Sequence, residues 1–419
     1  MEKLIVRGGR LLDGTVDIAG AKNAALPVIA ASLLSDKPVA LSNLPAVGDA
    51  DTMLKLVESY GVAAVRHGPH QVTLDAGSAI NAEAHYDVVR RARATALVLG
   101  PLLARFGVAR VSLPGGCAIG ARPIDLHLMA LRALGAEVDV EGGYVVARAP
   151  QGLTGDRIVL TSPSVGATET AMMAASRAQG ETEILNAARE PEVADLAACL
   201  SAMGVSIEGA GTHRLVISGT TAFRPAAHEL IPDRIEAGTY AAAAAITGGK
   251  LELVGARLDH LVAECEILER AGARVFPTDR GLMVERKGEL QATDITTAPF
   301  PGFPTDLQAQ FMALMSVANG AAVIRETIFE NRFMHVPELA RLGADLTLRG
   351  TTVFVRGVGQ LHGAPVMATD LRASVCMILA GLVAEGETVV NRVYHLDRGY
   401  EDLARKLVRC GADIERMRE

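Results

Sequence analysis

Apolar and polar residues repeat along this 419-residue chain at intervals of about 70 residues. In six places a stretch with helical spacing of apolar residues ends at a glycine, and these glycines lie 74, 69, 68, 71 and 68 residues apart. They are Gly61, Gly135, Gly204, Gly272, Gly343 and Gly411. Glycine is favoured just after a helix because it adopts a left-handed backbone conformation without steric cost. The pattern predicts six copies of one structural unit.

Each copy contains a second predicted helix that is apolar on most sides. These helices are predicted over residues 23–34, 92–106, 167–178, 235–247, 307–319 and 371–384. A helix that is hydrophobic almost all round is normally buried, whereas alternating stretches such as 250–254 and 344–348 are typical of strands. We therefore predict an α/β fold of two domains with a cleft between them. Each domain would contain three repeats, with buried helices inside and sheets outside.

The amino-acid composition and net charge disfavour several classes of function for this protein. Hydrophobic residues make up 49% of the chain and charged residues 21%, as in soluble globular proteins. The net charge of −7 argues against a nucleic-acid surface, so anionic ligands would have to meet local arginines. The start of the chain lacks the apolar run of a signal peptide, and no stretch is long enough to cross a bilayer, so we expect a cytoplasmic protein without membrane insertion. Five scattered cysteines without metal-ligand spacing indicate neither a metal site nor a cofactor.

One cysteine lies in a loop whose residue types favour reactivity. Cys117 follows two glycines between a predicted strand at 109–113 and a predicted helix at 123–134, and Arg122 comes five residues later. A nearby cation favours the thiolate, and a glycine-rich backbone leaves room for movement. The alternative is an inert buried thiol, which is common for a free cysteine. The glycines and Arg122 favour the reactive interpretation.

Cations lie at the predicted starts of three buried helices. They are Lys22, Arg93 and Arg372. A positive charge at a helix start opposes the helix dipole, and a bound phosphate or carboxylate would remove that penalty, so we favour ligand-binding roles for these residues. Uncharged polar residues at three helix starts are explained equally well by N-capping. These are Asn23, Ser164 and Thr305.

With these residues assembled, the chain resembles the UDP-N-acetylglucosamine enolpyruvyl transferases along its whole length. Eight segments in the family's order carry the resemblance, at residues 20–27, 113–123, 186–192, 230–236, 303–306, 329–335, 367–374 and 395–400. The resemblance implies two inside-out α/β-barrel domains with the active site in the cleft between them. The first domain would comprise residues 22–229 and carry the Cys117 loop, and the second residues 1–21 plus 230–419.

The resemblance also implies the reaction. Enolpyruvyl passes from phosphoenolpyruvate to the 3′-hydroxyl of UDP-N-acetylglucosamine with release of phosphate, which is the first committed step of peptidoglycan synthesis. The chemistry is an addition followed by an elimination through a tetrahedral ketal. Cys117 would be the acid that protonates phosphoenolpyruvate, a role that suits a thiol with an ordinary pKa of about 8.5. Asp306 would be the base at the hydroxyl, and Lys22 and Arg398 would complete the catalytic set.

Arg122 and Arg372 match further family positions that bind the anionic groups of phosphoenolpyruvate, because arginine can bond two oxygens at once. For Arg398 the alternative is an ion pair with Asp397 or Glu401. The substrate contacts implied by the resemblance are Lys22, Asn23, Arg93, Arg122, Pro123, Ile124, Asp125, Leu126, Ser162, Pro163, Ser164, Val165, Asp306, Ile328, Arg372 and Arg398.

Several implied positions remain open to other roles. Many relatives have a lysine where this chain has Ser162, and His127 matches the family pattern but could serve only to orient the loop. Four acidic residues also fall on positions that line the cleft, where each could instead be a cap or a supporting partner. They are Glu190, Asp233, Glu236 and Asp370.

Three other functions compete with this interpretation. A 5-enolpyruvylshikimate-3-phosphate synthase shares the fold class and phosphoenolpyruvate, but that family does not use the cysteine of the Pro-Gly-Gly-Cys loop. A binding scaffold built of repeats is disfavoured because the polar residues concentrate at buried-helix starts and in one loop. A nucleotide oxidoreductase is disfavoured because the glycine run at 357–363 has the wrong spacing and no helical pattern after it.

Overall fold

The computed structural model describes residues 2–77, 95–113 and 124–418. The described residues form two compact units, each with its own hydrophobic core. The first unit contains the described residues between 20 and 231, and the second contains residues 2–19 and 232–418. Within these ranges, every helix is too short or too polar to cross a lipid bilayer.

Twelve α-helices lie in the described part of the chain. They are α1 (Lys22–Ala31), α2 (Gly48–Ser59), α3 (Leu99–Phe106), α4 (Asp125–Ala133), α5 (Val165–Ala175), α6 (Pro191–Ala202), α7 (Arg234–Thr247), α8 (Val262–Arg270), α9 (Gln308–Met315), α10 (Val336–Arg341), α11 (Val375–Gly381) and α12 (Leu403–Arg409). Short 3₁₀ helices lie at Ser32–Leu34, Thr95–Val98, Leu258–His260, Thr305–Leu307 and Val393–Arg398. The odd-numbered α-helices are the inner ones, and all 14 residues of α7 are buried.

The inner helices match the predicted buried helices, with differences at their ends. In the second unit, α7, α9 and α11 pack against one another, as α3 and α5 do in the first. The predicted helix at 371–384 begins later, at Val375, because residues 370–374 form a turn. In this turn Oδ1 of Asp370 accepts hydrogen bonds from the backbone N–H groups of Arg372 and Ala373, both at 2.7 Å. Residues 92–94 of the predicted helix before α3 lie outside the described residues.

The strands form six sheets among the described residues. The strands are β1 (Glu2–Arg7), β2 (Asp13–Asp17), β3 (Val39–Ser42), β4 (Ala63–Gly68), β5 (Gln71–Asp75), β6 (Val108–Ser112), β7 (Glu137–Glu141), β8 (Tyr144–Arg148), β9 (Arg157–Val159), β10 (Glu181–Leu185), β11 (Ser206–Glu208), β12 (Arg214–Ser218), β13 (Ala226–Glu229), β14 (Lys250–Val254), β15 (Arg274–Pro277), β16 (Gly281–Glu285), β17 (Ile295–Thr296), β18 (Ala321–Arg325), β19 (Asp345–Arg349), β20 (Thr352–Arg356), β21 (Pro365–Met367), β22 (Glu387–Asn391) and β23 (Asp413–Arg418).

Each unit contains three of these sheets. The strand orders are β13-β3-β5-β4, β6-β8-β7 and β9-β10-β12-β11 in the first unit, and β2-β14-β16-β15, β17-β18-β20-β19 and β21-β22-β1-β23 in the second. In every four-stranded sheet the first two strands of the order given are parallel, and the remaining neighbours are antiparallel. In β14, Leu251 and Leu253 are buried while alternate residues are more exposed, so one sheet face covers the inner helices. The predicted arrangement of inner helices and outer sheets is confirmed.

The six repeat glycines end the outer helices in the predicted way. Their φ angles lie between 90° and 107°, and each glycine donates its N–H to the carbonyl three residues earlier at 2.9–3.0 Å. The N–H of the following residue donates to the carbonyl five residues before it, at 2.9–3.3 Å. This pair of hydrogen bonds is the Schellman motif, and it reverses the chain from each outer helix into the next strand.

Because the left-handed backbone is strained for any residue with a Cβ, Gly343→Ala should lower the free energy of unfolding by about 1–2 kcal/mol. A Cβ at Gly343 would meet only His362, at an ordinary 3.8 Å, so the expected loss is conformational and not steric. Gly359→Ala is the matched control, since a Cβ there meets nothing and the φ angle is not left-handed. Its stability should change by less than about 0.5 kcal/mol. Urea denaturation of both variants measures the difference, and equal stabilities would contradict the motif's role.

Candidate active site

In the second unit, Asp233 joins the start of α7 to a buried arginine. Its Oδ1 accepts hydrogen bonds from the backbone N–H groups of Ile235 (2.8 Å) and Glu236 (3.1 Å), so it is the N-cap of the helix. Its Oδ2 accepts from Nη2 of Arg372 at 3.1 Å. Asp233 is 4% exposed and Arg372 is 1% exposed. The ion pair is therefore shielded from water and connects α7 to the turn before α11.

Arg372 is surrounded by further acceptors. Its Nη1 donates to the carbonyl of Gly399 at 2.8 Å, and its Nε lies 3.7 Å from Oδ2 of Asp306. The guanidinium carbon lies 5.1 Å from the ring centroid of Tyr400. Burial by itself would lower the pKa of Arg372, but the surrounding groups, Asp233 foremost, raise it above its ordinary value. The side chain therefore stays charged inside the unit.

The charge of Arg372 has a protein partner. From the sequence we explained this cation by a bound anion, whereas in the structure the Asp233 carboxylate lies against it. The ion pair removes the need for a ligand to offset the charge. The Nε group of Arg372 is buried and has no hydrogen-bond partner among the described residues, although the Asp306 carboxylate lies 3.7 Å away.

Asp306 lies in the 3₁₀ helix that leads into α9, and a second arginine holds its carboxylate. Nη2 of Arg332 donates to Oδ1 of Asp306 at 2.6 Å, and Nη1 donates to Oγ1 of Thr305 at 2.9 Å. The Arg332 side chain is 6% exposed, whereas that of Asp306 is 24% exposed. The carboxylate is therefore fixed from the protein side and is still accessible to a ligand.

Arg332 is a site residue to which sequence reasoning assigned no role. It lies in the segment 329–335, which contributed to the resemblance, and its guanidinium carbon is 5.5 Å from the ring centroid of Phe329. The signal in the sequence is an arginine placed between the aromatic residues Phe329 and Phe333, which favours a buried guanidinium.

A buried carboxylate that the sequence analysis also missed shapes the loop of Ile328. Oε1 of Glu326 accepts hydrogen bonds from the backbone N–H groups of Ile328 (2.8 Å) and Phe329 (3.1 Å). Its Oε2 accepts from Oγ1 of Thr305 at 2.8 Å. Glu326 is 2% exposed, whereas Ile328, a predicted substrate contact, is 37% exposed. Glu326 thus links the Ile328 loop to the segment that carries Asp306.

Arg398 ends the 3₁₀ helix Val393–Arg398 and is half-buried. One alternative for this residue was an ion pair with Asp397. The Asp397 carboxylate accepts a hydrogen bond from Nη1 of Arg416 at 2.9 Å, so a different arginine binds this acid. The predicted anion-binding role of Arg398 stays a prediction.

In the first unit, Lys22 and Asn23 begin α1. Lys22 is 7% exposed, and its Nζ lies 3.5 Å from Oδ2 of Asp49 in α2. The first turn of α1 contains no acidic residue. The ammonium group is therefore nearly buried at a helix start, where an anionic ligand would be favourable.

Of the three residues for which N-capping was the alternative, Ser164 is a cap and the other two are not. Oγ of Ser164 accepts from the N–H three residues later at 3.4 Å, at the start of α5. Asn23 lies inside α1, whose N-cap position is Ala21. Thr305 uses its hydroxyl to donate to Glu326. The capping interpretation is therefore wrong for Asn23 and Thr305.

Other predicted contacts of the first unit lie at the starts of α4 and α5. Ile124 precedes α4, whose first two residues are Asp125, which is exposed, and Leu126. Before α5, Ser162 and Pro163 are exposed, and Val165 is the first residue of that helix. Nδ1 of His127 lies 2.8 Å from Oγ1 of Thr170 in α5. Burial lowers the pKa of His127 to about 4, so the ring is neutral at pH 7 and connects α4 to α5.

Two of the acidic residues that the resemblance assigned to the cleft bind protein groups. In Glu236, Oε1 accepts from Nζ of Lys406 at 2.7 Å and Oε2 accepts from the N–H of Ala19 at 2.8 Å. Burial raises the pKa of Glu236 to about 7. Asp370 accepts the two backbone hydrogen bonds of the turn before α11. Both are supporting partners in this structure.

Four predicted site residues lie outside the described residues. They are Cys117, Arg93, Arg122 and Pro123. Within the described ranges, no group of three or more histidine, cysteine, aspartate or glutamate residues is arranged to hold a metal ion.

Comparison with known proteins identifies the family. Residues 6–407 match the family model of EPSP synthase (3-phosphoshikimate 1-carboxyvinyltransferase). The chain is 66% identical to UDP-N-acetylglucosamine 1-carboxyvinyltransferase 2 of Mesorhizobium japonicum and 58% identical to UDP-N-acetylglucosamine 1-carboxyvinyltransferase of Gluconacetobacter diazotrophicus, over 100% of both chains in each case. Among solved structures, the enolpyruvyl transferase NikO from Streptomyces tendae is 30% identical, with a TM-score of 0.89 over 99% of each chain.

These findings confirm the predicted fold and resemblance. The structural likeness to NikO extends over both units and agrees with the three sheets and inner helices of each. The EPSP synthase alternative corresponds to the broad family model, whereas the full-length relatives of high identity carry the other name. The chain therefore belongs to the UDP-N-acetylglucosamine 1-carboxyvinyltransferases, within the wider EPSP synthase family.

Proposed function

We propose that this chain transfers the enolpyruvyl group of phosphoenolpyruvate to the 3′-hydroxyl of UDP-N-acetylglucosamine and releases phosphate. The full-length relatives named for this activity support the proposal. The observation that carries it is the Asp306 carboxylate, which Arg332 holds at 2.6 Å beside the buried Arg372 and which is still exposed to a ligand. A fixed carboxylate of this kind suits a general base at a substrate hydroxyl.

The reaction proceeds by addition and then elimination. The 3′-oxygen bonds to C2 of phosphoenolpyruvate as Asp306 accepts the hydroxyl proton, and Cys117 delivers a proton to C3. The resulting ketal then loses a proton from C3 and expels phosphate, which restores the double bond. Arg332 contributes by holding the carboxylate in one orientation, because a small misplacement of a reacting group slows catalysis strongly.

In this proposal, four cationic side chains bind the phosphate and carboxylate of phosphoenolpyruvate. They belong to Lys22, Arg122, Arg372 and Arg398. Arg372 already binds Asp233 and the carbonyl of Gly399, so its guanidinium is held in one position. A guanidinium that is fixed in advance needs no reorganisation when negative charge moves between the groups of the substrate.

The proposed contacts of the nucleotide sugar are those that the resemblance implies. They are Asn23, Arg93, residues 122–126, residues 162–165, Asp306 and Ile328. Ser162 provides a hydroxyl where many relatives have a lysine, so this contact carries no charge. We place the reaction in the cytoplasm, as the first committed step of peptidoglycan synthesis for the cell wall.

The substrate pair can be tested directly. Phosphate release from phosphoenolpyruvate should depend on UDP-N-acetylglucosamine, because the sugar hydroxyl is the proposed acceptor. Shikimate 3-phosphate in its place is the control and should give no release above background. Release with the shikimate ester alone would refute the proposal.

Replacing Arg332 by lysine should lower kcat by at least roughly tenfold, because an ammonium group lacks the rigid planar fork whose two nitrogens bind Thr305 and Asp306. Arg349→Lys is the control. Arg349 lies on β19, where its guanidinium contacts the exposed Phe354, and its replacement should leave kcat unchanged. Steady-state kinetics measure both variants, and equal kcat values would remove Arg332 from the site.

Fosfomycin, which resembles phosphoenolpyruvate, should alkylate one thiol in this protein, Cys117. The other four cysteines are buried, and burial raises the pKa of Cys199 and of Cys265 to about 12, so these thiols stay protonated. Intact-protein mass spectrometry should detect one adduct, and none in Cys117→Ala. An adduct on the variant would show that another thiol reacts.

A further inference from the structure

A buried amide connects three elements of the second unit. Gln310, in the first turn of α9, is fully buried, and its Nε2 donates to the main-chain carbonyl of Asp306 at 2.9 Å. The same nitrogen lies 3.0 Å from the hydroxyl of Tyr400 and 3.3 Å from Oγ1 of Thr239 in α7. The hydroxyl groups of Tyr400 and Thr239 are themselves 3.0 Å apart.

The direction of each hydrogen bond in this cluster follows from counting protons. Oγ1 of Thr239 donates to the carbonyl of Ile235 at 2.8 Å, which uses its only proton. The Tyr400 hydroxyl therefore donates to Thr239 and accepts from Gln310. The second N–H of the amide goes to the carbonyl of Asp306, which can only accept. Burial raises the pKa of Tyr400 to about 12, so its hydroxyl keeps its proton near neutral pH.

The donors explain why an amide occupies this position. Oε1 of Gln310 is buried without a hydrogen-bond partner among the described residues. An unsatisfied buried acceptor is unfavourable, and an apolar side chain would avoid it. What the amide contributes is therefore its two N–H groups, one for each neighbour.

Those two neighbours border the proposed site. The Asp306 carboxylate is the proposed base, and the Tyr400 ring lies under the guanidinium of Arg372 at 5.1 Å. Nε of Arg372 is 3.7 Å from the Asp306 carboxylate. Gln310 thus joins the backbone of the proposed base to the aromatic ring that supports the neighbouring cation.

We infer that Gln310 is a positioning residue for the proposed reaction, which aligns Asp306 with Arg372 by donating to the Asp306 carbonyl and to the Tyr400 hydroxyl. The inference rests on the proposed function, because alignment matters only if these two groups act on one substrate. A cluster of directed hydrogen bonds keeps the spacing constant without adding charge to the site.

Gln310→Met, which removes both donors at similar volume, should lower kcat by roughly tenfold or more and raise the KM for phosphoenolpyruvate. Gln308→Met is the matched control. Gln308 lies on the same helix and is 1% exposed, and neither atom of its amide group has a hydrogen-bond partner among the described residues. Its kinetic constants should stay within about twofold of the wild-type values. Thermal melting of both variants shows whether they are folded.

A second variant separates positioning from packing. In Gln310→Glu the protonated acid keeps one donor, and its ionisation removes that donor and adds a negative charge. Burial should raise the pKa of the new carboxyl, as it raises that of the buried Glu236 to about 7. The ratio of variant to wild-type kcat should therefore fall as the pH rises from about 6 to 8. Asp306, Arg372, Asp233 and Tyr400 are the ionisable groups around this position, and dividing by the wild-type kcat removes the pH dependence that both proteins share.

Tyr400→Phe completes the test, because it removes the hydroxyl and leaves the ring beneath Arg372. Combined with Gln310→Met, it should reduce kcat by less than the product of the two single effects, since both variants break the same contact. A folded Gln310→Met with wild-type kinetics, or a flat pH ratio for Gln310→Glu, overturns the inference alone. Absence of phosphate release from the wild-type protein overturns the proposed function and this inference with it.

Discussion

The buried positive charge of Arg372 links distant elements of the second unit. The Arg372 guanidinium is 1% exposed, and a buried ion is tolerated only where acceptors surround it. Asp233, the carbonyl of Gly399 and the face of Tyr400 meet this requirement, with Asp306 at the edge. Loss of any one acceptor would leave the charge less compensated. The positions of these groups are therefore coupled, although they come from distant parts of the chain.

The coupling also explains how a repeated fold brings these charged groups together. Asp233 is the N-cap of α7, Asp306 precedes α9 and Arg372 precedes α11, so each inner helix of the second unit contributes a charged group of this cluster at its start. The Schellman turns end the outer helices and bring the chain back to the next strand. Repetition places three helix starts together, and different residues at equivalent positions provide the chemistry.

The candidate site contains buried supporting residues and more exposed residues. Arg332, Glu326 and Gln310 are almost fully buried and form hydrogen bonds with protein groups, whereas Asp306 is partly exposed and Ile328 is exposed. The buried residues hold Asp306 and the Ile328 loop in place through these hydrogen bonds. Such support allows a carboxylate to meet a substrate without first reorganising, which is how preorganised sites stabilise developing charge.

The repeat, the inner helices and the glycine turns follow from local patterns, because apolar periodicity and the backbone freedom of glycine act over a few residues. The proposed reactive groups Asp306, Arg372 and Lys22 were predicted from motif positions. Supporting residues such as Arg332 were not, because their roles depend on contacts made at long sequence separation.

The sequence by itself determined the elements of this protein, their repetition and the family to which it belongs. Only the tertiary structure decided which charges compensate one another. The pattern around Arg372 suggested an anionic ligand, yet the carboxylate against it is Asp233, 139 residues away in the chain. The tertiary structure also decided that Gln310, and not the nearby Gln308, forms hydrogen bonds with Asp306 and Tyr400. Hydrogen bonds and ion pairs depend on ångström-scale distances, which residue spacing along the chain does not specify.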